Sequence, residues 1–179
     1  MAEDYRELLI GAGSRREKVL HPDEHKTWEH LTTLDINADH KPDVIWDLTD
    51  LPLPFEDDSF NEMHAYEVLE HIGAQGDYKT FFAQFSEFWR ILRPGGLLCG
   101  TSPAVGSPWV WGDPGHTRLI SSESFVFLDQ TEYTRQVGNT PMSDYRFVYQ
   151  ADFSLVFARA ETDTFMYVLQ AVKPSRISF

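Results

Sequence analysis

Two short stretches near the start of the chain combine residue types that suit a nucleoside ligand. Residues 8–16 (LLIGAGSRR) pass from an apolar run into a turn of small residues, and residues 32–37 (TTLDIN) form an apolar run that reaches Asp35. Small residues such as Gly11 and Gly13 let the backbone approach a ligand closely. An acid about twenty residues after such a turn stands where doubly wound folds place a carboxylate for ribose hydroxyls. The pair therefore predicts a nucleoside site, although a glycine turn also forms without any ligand.

Short apolar runs bounded by turn residues predict the strands that position this turn and this acid. The first four runs cover residues 5–10, 31–36, 43–48 and 60–66. Only residues 37–42 separate the second run from the third, which is too short for a full crossover helix between parallel strands. Pro52 and Pro54 make the segment before the fourth run a loop, because proline fits neither a helix interior nor a central strand.

The clearest helix covers residues 77–92 (DYKTFFAQFSEFWRIL). Its apolar residues recur at helical spacing and form one stripe, made of Phe81, Phe85, Phe88, Trp89 and Leu92. Asp77 can cap the start of the helix, and residues 93–96 (RPGG) end it. The stripe predicts packing against a sheet, and residues 97–101 follow as a fifth strand.

The last third of the chain predicts a functional loop and a hairpin. Residues 102–121 form a long irregular stretch, and such loops inside compact domains are usually functional. Ser121 or Ser122 can cap a short helix that ends at Leu128. Residues 152–160 and 164–173 alternate around a turn at 161–163 and predict a β-hairpin. The order of elements predicts an α/β fold with a mostly parallel sheet and one antiparallel strand near its end.

The composition is that of an intracellular domain without a broad phosphate-binding surface. A length of 179 residues fits one domain, and a formal charge of −13 argues against extended contacts to nucleic acid. The single cysteine, Cys99, excludes an internal disulfide and a multi-cysteine zinc site. The chain has no apolar run of membrane-spanning length and no signal-peptide pattern at its start, so we expect a cytoplasmic protein with no membrane contact.

The motifs, taken in order, carry a resemblance to a known family. The segments are LLIGAG, TTLDIN, WDLTDLPLPFEDDSF, EVLEHI, RILRPGGLL and DPGHTR. In this order they resemble the class I S-adenosylmethionine-dependent methyltransferases over nearly the whole chain. YEVLEHIGAQGDY and SPWVWGDPGHTR are also similar to short methyltransferase-like proteins encoded by phages. The resemblance implies one domain over residues 1–179, with a Rossmann-like methyltransferase sheet, a C-terminal antiparallel hairpin and minimal helices.

The resemblance also implies S-adenosylmethionine as the cofactor and assigns roles to the matching residues. The implied contacts are Gly11, Ala12, Gly13, Ser14, Asp35, Ile36, Asp47, Leu48, Tyr66 and Glu67. The backbone of the glycine turn would line the methionine and ribose parts of the cofactor. Asp35 would accept hydrogen bonds from both ribose hydroxyls. Asp47 and the Leu48 amide would bind the adenine edge, with Asp50 as an alternative to Asp47.

In the same site, Ile36 would pack on the adenine ring. Tyr66 and Glu67 would close the floor at the carboxyl end of the fourth strand.

Several residues depart from the family pattern. Apolar residues replace the acid that usually precedes the glycine turn, and Arg15 replaces the third glycine. Pro22 interrupts the segment between the first two strands, so we expect a short crossover helix over about 23–30. Little chain precedes the first strand, whereas many relatives carry N-terminal helices there. We therefore expect a minimal version of the fold whose missing cover a homodimer partner supplies.

The acceptor side of the site is assigned from the same architecture. Methyl transfer from a sulfonium mainly requires the acceptor to be positioned in line, and a general base is needed only for a protonated oxygen or nitrogen. His71, His116 and Asp113 are the candidate catalytic residues, because the fourth-strand end and the loop after the fifth strand face each other across the pocket. Glu70 and His71 could also be ordinary helix-start residues. The charge balance predicts a small-molecule or nucleotide-sized acceptor, and extended nucleic-acid binding is not expected.

No metal site is predicted. His21, His25 and His30 crowd one segment and two of them could share a helical face, but no third and fourth ligand follow in a convincing order. A solvated helix explains the three histidines better.

Other functions remain open at this stage. A noncatalytic binding module that keeps the cofactor pocket would fit the eroded glycine motif. A nucleic-acid methyltransferase would keep the same cofactor site. An NAD-dependent reductase would also use a glycine turn and a ribose acid, but it leaves the later LPFEDDSF and EVLEHI segments without a role.

Overall fold

The computed structural model describes residues 5–22 and 26–177, and its centre is one seven-stranded sheet. The strands are β1 Glu7–Ile10, β2 Leu31–Asp35, β3 Val44–Ile45, β4 Phe60–Tyr66, β5 Leu92–Pro103, β6 Phe153–Ala160 and β7 Thr164–Ala171. They lie in the order β3-β2-β1-β4-β5-β7-β6, and β7 runs antiparallel to both of its neighbours while the other pairs are parallel. The predicted α/β sheet with a C-terminal hairpin is therefore confirmed.

The third strand is shorter than its apolar run suggests. It covers two residues instead of residues 43–48. The Asp43 carboxylate accepts hydrogen bonds from the Thr33 amide at 2.8 Å and the Thr33 hydroxyl at 2.7 Å, which fixes the start of the strand. The Asp50 amide then donates to the Asp47 carbonyl at 3.0 Å, and this turn takes the chain out of the sheet.

The main helix, α1 Tyr78–Ile91, lies where the apolar stripe predicts it. The Asp77 carboxylate accepts a hydrogen bond from the Thr80 amide at 3.1 Å and caps the helix. Phe82, Phe85 and Phe88 are buried against the first face of the sheet, where Leu8 and Ile10 also point. This face holds the main core.

The remaining helices are short. They are α2 Trp109–Gly112, α3 Ser122–Val126 and α4 Gln130–Gln136. Residues 102–121 were predicted to be irregular, but β5 extends to Pro103 and the segment contains α2. The helix α4 was not predicted. Of the helices in the described ranges, none is long and apolar enough to cross a membrane.

The crossover between β1 and β2 differs from the prediction. Residues 26–30 of the expected helix over 23–30 are not helical, and residues 23–25, with His25, lie outside the described residues. The β2–β3 connection is abbreviated as expected, to a single 3-10 turn at Ala38–His40.

The second face of the sheet is covered at its centre by the described residues 14–22 and 26–30, which we call the covering segment. Lys18 inserts its ammonium between two buried carboxylates, pairing with Glu7 on β1 and lying 2.7 Å from the Glu62 carboxylate on β4. His64 lies 2.8 Å from the same Glu62 carboxylate. The apolar part of this contact is small, since it consists of Leu20 against Leu97, Cys99 and Val168. Ion pairs therefore take the place that a packed helix would have on this face.

Candidate active site

The turn after β1 requires glycine at two positions. Gly11 and Gly13 have φ of 57° and 53°, in the left-handed region that favours glycine. A Cβ on Gly11 would lie 2.5 Å from Val68 Cγ2, so the turn and the chain after β4 approach each other too closely for a side chain. Between the glycines, the Ala12 amide donates to the Leu34 carbonyl at 3.1 Å and holds the turn against β2.

Asp35 at the end of β2 is fixed against this turn. Its Oδ2 accepts a hydrogen bond from the Gly13 amide at 2.7 Å, and its Oδ1 accepts one from the Asn37 amide at 2.7 Å. Burial opposes ionisation, but these two amide bonds and the nearby His40 ring, whose Nδ1 lies 3.3 Å from Oδ2, together hold the pKa of Asp35 below its usual value. A carboxylate has about four acceptor positions, so lone pairs remain for ligand hydroxyls.

A cleft of about 410 Å³ lies beside Asp35, and we call it the adenosine cleft after the role proposed below. Six of the predicted cofactor residues line it, namely Gly11, Asp35, Ile36, Asp47, Leu48 and Glu67. The predicted catalytic residue His71 lines it as well. Ile36 is 65% exposed and presents its side chain at the surface. Asp47 Oδ1 accepts from the amide and the hydroxyl of Thr49, each at 2.8 Å. Asp50 is not among the residues that line the cleft, which favours Asp47 over Asp50 as the ligand-facing acid.

A second cleft of about 470 Å³ lies on the other side of the glycine turn, and we call it the methionine cleft. The predicted residues Ala12, Gly13, Ser14 and Tyr66 line it, together with Thr101 and Thr164, which the sequence did not suggest. Gly11 and Glu67 line both clefts, so the two meet there. Glu67 has a φ of 54°, an uncommon conformation for a residue with a side chain and one that clusters at functional sites.

Tyr66 is partly committed to the covering segment. Its hydroxyl accepts hydrogen bonds from the Val19 and Leu20 amides at 3.2 Å each, and it lies 2.7 Å from His64 Nδ1. Burial raises the pKa of the Tyr66 phenol well above its usual value. Tyr66 therefore faces the methionine cleft as a neutral group whose hydroxyl is already hydrogen-bonded.

Glu70 is buried one turn after β4, with only 2% of its surface exposed. Its Oε2 accepts a hydrogen bond from the Ser102 hydroxyl at 3.0 Å. Burial, together with the negative charge of Glu67, raises the pKa of Glu70 to about 8. Glu70 does lie in the first turn of a short 3-10 helix, Leu69–His71. It differs from an ordinary helix-start acid because its carboxyl group is buried.

His71 and His116 come together as the sequence predicts for the two sides of the pocket. Their rings meet edge to face with centroids 4.6 Å apart. His116 Nε2 lies 4.0 Å from Glu70 Oε1 and 3.9 Å from Asp113 Oδ2. Asp113 itself accepts from the Gly115 amide at 2.7 Å, which shapes the loop that carries His116.

Arg118 holds the two loops together. Its guanidinium donates to the backbone carbonyls of Ile72, Ala74 and Asp77 at 3.2, 2.9 and 2.8 Å. The Gln75 amide adds a bond to the Thr117 carbonyl at 2.9 Å. The loop that follows β5 is therefore fastened to the loop that follows β4.

Comparisons with known proteins agree with this architecture. Residues 17–100 match the sequence model of a family described as a methyltransferase domain. A SAM-dependent methyltransferase from Archaeoglobus fulgidus superposes with a TM-score of 0.58 and 14% identity, over 93% of this chain and 86% of that one. The chain has the Rossmann-like methyltransferase fold.

Two further structures share the methyltransferase fold. A SAM-dependent methyltransferase from Methanosarcina mazei gives a TM-score of 0.53 at 16% identity, over 96% of this chain and 94% of that one. The N-methyltransferase NodS from Bradyrhizobium japonicum WM9, in complex with S-adenosyl-L-homocysteine, gives 0.52 at 16% identity, over 93% and 78%. None of the curated protein sequences matches the chain.

Proposed function

We propose that the chain is a methyltransferase that uses S-adenosylmethionine and binds it across the two clefts. The observation that carries the proposal is the position of Asp35, an ionised carboxylate fixed by the Gly13 amide where the adenosine cleft meets the glycine turn. A buried carboxylate held this way suits the two hydroxyls of a ribose. The methyltransferase-domain match over residues 17–100 supports the choice of this cofactor over NAD.

In this proposal each cleft binds one part of the cofactor. Adenine lies against Ile36, with Asp47 and the Leu48 amide at its polar edge, and the ribose binds Asp35. The methionine part passes Gly11 and follows the backbone of Ala12, Gly13 and Ser14, with Tyr66 and Glu67 beneath it. This arrangement is supported by the shared lining of the clefts at Gly11 and Glu67.

The acceptor lies at the end where His71, His116 and Asp113 converge. Acceptor positioning is the main requirement of methyl transfer, and the loops joined by Arg118 supply a fixed frame for it. The proposed acceptor is a small molecule or a nucleotide-sized group, because the formal charge of −13 gives no support for a long phosphate backbone.

Calorimetric titration tests the proposal. We expect S-adenosylmethionine and S-adenosylhomocysteine to bind at about micromolar affinity, which corresponds to about 8 kcal/mol. Asp35→Ala removes the charge-assisted ribose contact and should weaken binding by about 1.5–3 kcal/mol. The control is Asp39→Ala, which removes an exposed carboxylate four residues away and should leave the affinity unchanged.

Two results would contradict the proposal. One is tighter binding of NAD than of S-adenosylmethionine, and the other is undiminished S-adenosylmethionine binding by a folded Asp35→Ala protein. A chain that binds the cofactor but transfers no methyl group to any acceptor would instead favour the noncatalytic module.

A further inference from the structure

Three side chains with metal-ligating atoms converge beside the adenosine cleft, which His71 lines. Glu70 and His71 belong to the 3-10 turn Leu69–His71 that follows β4, and His116 belongs to the loop after β5. One ligating atom from each of the three lies within 4.8 Å of the others. Two segments far apart in sequence thus present two imidazoles and one carboxylate to the same point.

The backbone around the two histidines determines which ring nitrogen carries the proton. His71 Nδ1 lies 3.1 Å from the Gly115 carbonyl, and His116 Nδ1 lies 2.8 Å from the Trp109 carbonyl. A carbonyl oxygen only accepts hydrogen bonds, so each neutral ring donates from Nδ1 and keeps the lone pair on Nε2. This is the arrangement by which proteins orient metal-binding histidines.

Glu70 completes the set with an oxygen that lacks a partner. Its Oε2 accepts a hydrogen bond from the Ser102 hydroxyl, whereas Oε1 has no hydrogen-bond partner among the described residues. Only 2% of the surface of Glu70 is exposed, so water does not replace the missing partner. A buried oxygen without a partner is costly, and a cation bound beside it would supply one. Oε1 lies 4.0 Å from His116 Nε2, the ring nitrogen that keeps its lone pair.

We propose that Glu70, His71 and His116 bind a divalent transition-metal ion. Two imidazole nitrogens and one carboxylate oxygen form a donor set that suits zinc or iron and leaves coordination positions open for water or an oxygen of the acceptor. Donor atoms around tetrahedral zinc lie about 3.4 Å apart, given bonds of about 2.1 Å. Binding therefore draws the three donors together by about 1 Å, and the exposed His71 is the side chain with room to move.

The charge around the three residues favours a cation. Asp113 Oδ2 lies 3.9 Å from His116 Nε2, and Glu67 lies close enough to raise the pKa of Glu70. Metal binding by these residues does not depend on the reaction of the protein, whereas a role for the metal in holding the methyl acceptor rests on the proposed function.

Cobalt binding tests the site directly. Protein is treated with EDTA, dialysed and titrated with Co²⁺, and binding is followed by the visible d–d absorption and by calorimetry. We expect one Co²⁺ per chain and an affinity at least about tenfold weaker in Glu70→Gln and in His116→Ala, since even residues that only support ligands contribute 10–100-fold. The matched control is His21→Ala, which removes an exposed imidazole of the covering segment and should bind Co²⁺ like the unchanged protein.

A second measurement on the unchanged protein does not depend on any variant folding. Paramagnetic Co²⁺ should shift or broaden the imidazole NMR signals of His71 and His116 and leave those of His21 sharp. The proposal is overturned if folded protein binds no equivalent of Co²⁺, if the Glu70 and His116 variants bind it unchanged, or if other imidazole signals respond instead.

Titration of the same samples with S-adenosylhomocysteine separates this inference from the proposed function. Cofactor binding without Co²⁺ binding would reject the metal site alone. Co²⁺ binding without cofactor binding would reject the proposed function alone.

Discussion

Glu70 changes the chemistry of the site because its carboxyl group is removed from water. Burial and the nearby charge of Glu67 raise its pKa to about 8, so the group keeps its proton at pH values where an exposed glutamate is ionised. In the metal-free protein, a protonated Glu70 can donate a hydrogen bond. When ionised it becomes a ligand or a base.

The raised pKa predicts how stability changes with pH. Between an ordinary pKa of about 4.5 and the native value of about 8, the unfolded chain has released the Glu70 proton while the native chain retains it. Because the native state binds more protons in this window, its stability is greatest at the low end and decreases as pH rises towards 8. Glu70→Gln removes this contribution to the pH dependence of stability.

We therefore expect the unfolding free energy of the wild type to fall by about 2–3 kcal/mol more than that of Glu70→Gln between pH 5.5 and 8. Urea denaturation in the presence of EDTA measures the difference. Glu56→Gln, a change at an exposed position, should follow the wild-type profile. Parallel profiles for the wild type and Glu70→Gln would show that the pKa of Glu70 is not raised.

Asp35 and Glu70 show what single residues reveal in a sequence. Asp35 was predicted as a site residue because its signal is local, namely an acid at the end of an apolar strand at a set distance from a glycine turn. The burial of Glu70 was not predicted, since its hydrogen-bond partner Ser102 lies 32 residues further along the chain. The available signal was an acid inside the apolar stretch VLEHI, which indicates a buried carboxyl that needs a partner.

At the scale of elements, Arg118 fixes the relative position of the loops that follow β4 and β5. Replacing it with methionine leaves the buried carbonyl of Ile72 and the partly buried carbonyls of Ala74 and Asp77 without this donor. We expect Arg118→Met to lower the unfolding free energy by about 3 kcal/mol, since hydrogen bonds to charged groups and unsatisfied buried carbonyls each contribute on that scale. Urea denaturation is the measurement.

The control for Arg118 is Arg159→Met. Arg159 is 65% exposed and forms an ion pair with Glu161 at 3.0 Å on the surface. Exposed pairs contribute about 0–1 kcal/mol, so this variant should stay close to the wild type. Equal losses for Arg118→Met and Arg159→Met would mean that Arg118 does not fasten the loops.

Elements were predictable where a periodic pattern and a cap coincide. The helix over 77–92 has both and was observed as Tyr78–Ile91. The helix Gln130–Gln136 was not predicted, because its sequence QTEYTRQ has no apolar stripe and buries only Gln130 and Tyr133. It is held instead by distant contacts, such as the Gln130 amide group to the Ala151 carbonyl at 2.9 Å.

The prediction of a crossover helix was wrong for a related reason. Residues 26–30 are held by individual contacts, such as the Trp28 ring edge on His64, with 4.9 Å between ring centroids, rather than by a stripe. Acids in otherwise buried strands, Glu7 and Glu62, were the signal that a cation from this segment must reach the sheet.

At the scale of the whole molecule, net charge decides which acceptors can approach. With 28 acidic residues against 15 Lys and Arg, the chain repels a long phosphate backbone. We expect duplex and single-stranded oligonucleotides to bind more weakly than about 10 μM at physiological salt. Fluorescence polarisation across a salt series measures this, with a basic DNA-binding domain as the positive control.

Submicromolar oligonucleotide binding with a steep salt dependence would contradict the small-acceptor proposal and favour a nucleic-acid methyltransferase. The likeness to short phage-encoded proteins and the homodimer both stay predictions. A sedimentation experiment would decide the oligomeric state.

The covering segment has a consequence for how ligands enter and leave. It is anchored on the second face by Lys18 and by Leu20, while its residues Arg15, Glu17 and Val19 form part of the wall of the methionine cleft. When the segment detaches, water solvates Glu7, Glu62 and the Lys18 ammonium, and this compensates for much of the lost pairing. Little apolar surface is exposed, so such local opening has a low free energy compared with global unfolding.

Amide hydrogens of the covering segment should therefore exchange through this local opening, well before those of β1 and β4. A bound cofactor that touches the cleft wall would slow that exchange without altering the sheet. If the cofactor leaves through this opening, the rate of product release depends on the Lys18 ion pairs, which lie on the opposite face of the sheet from α1.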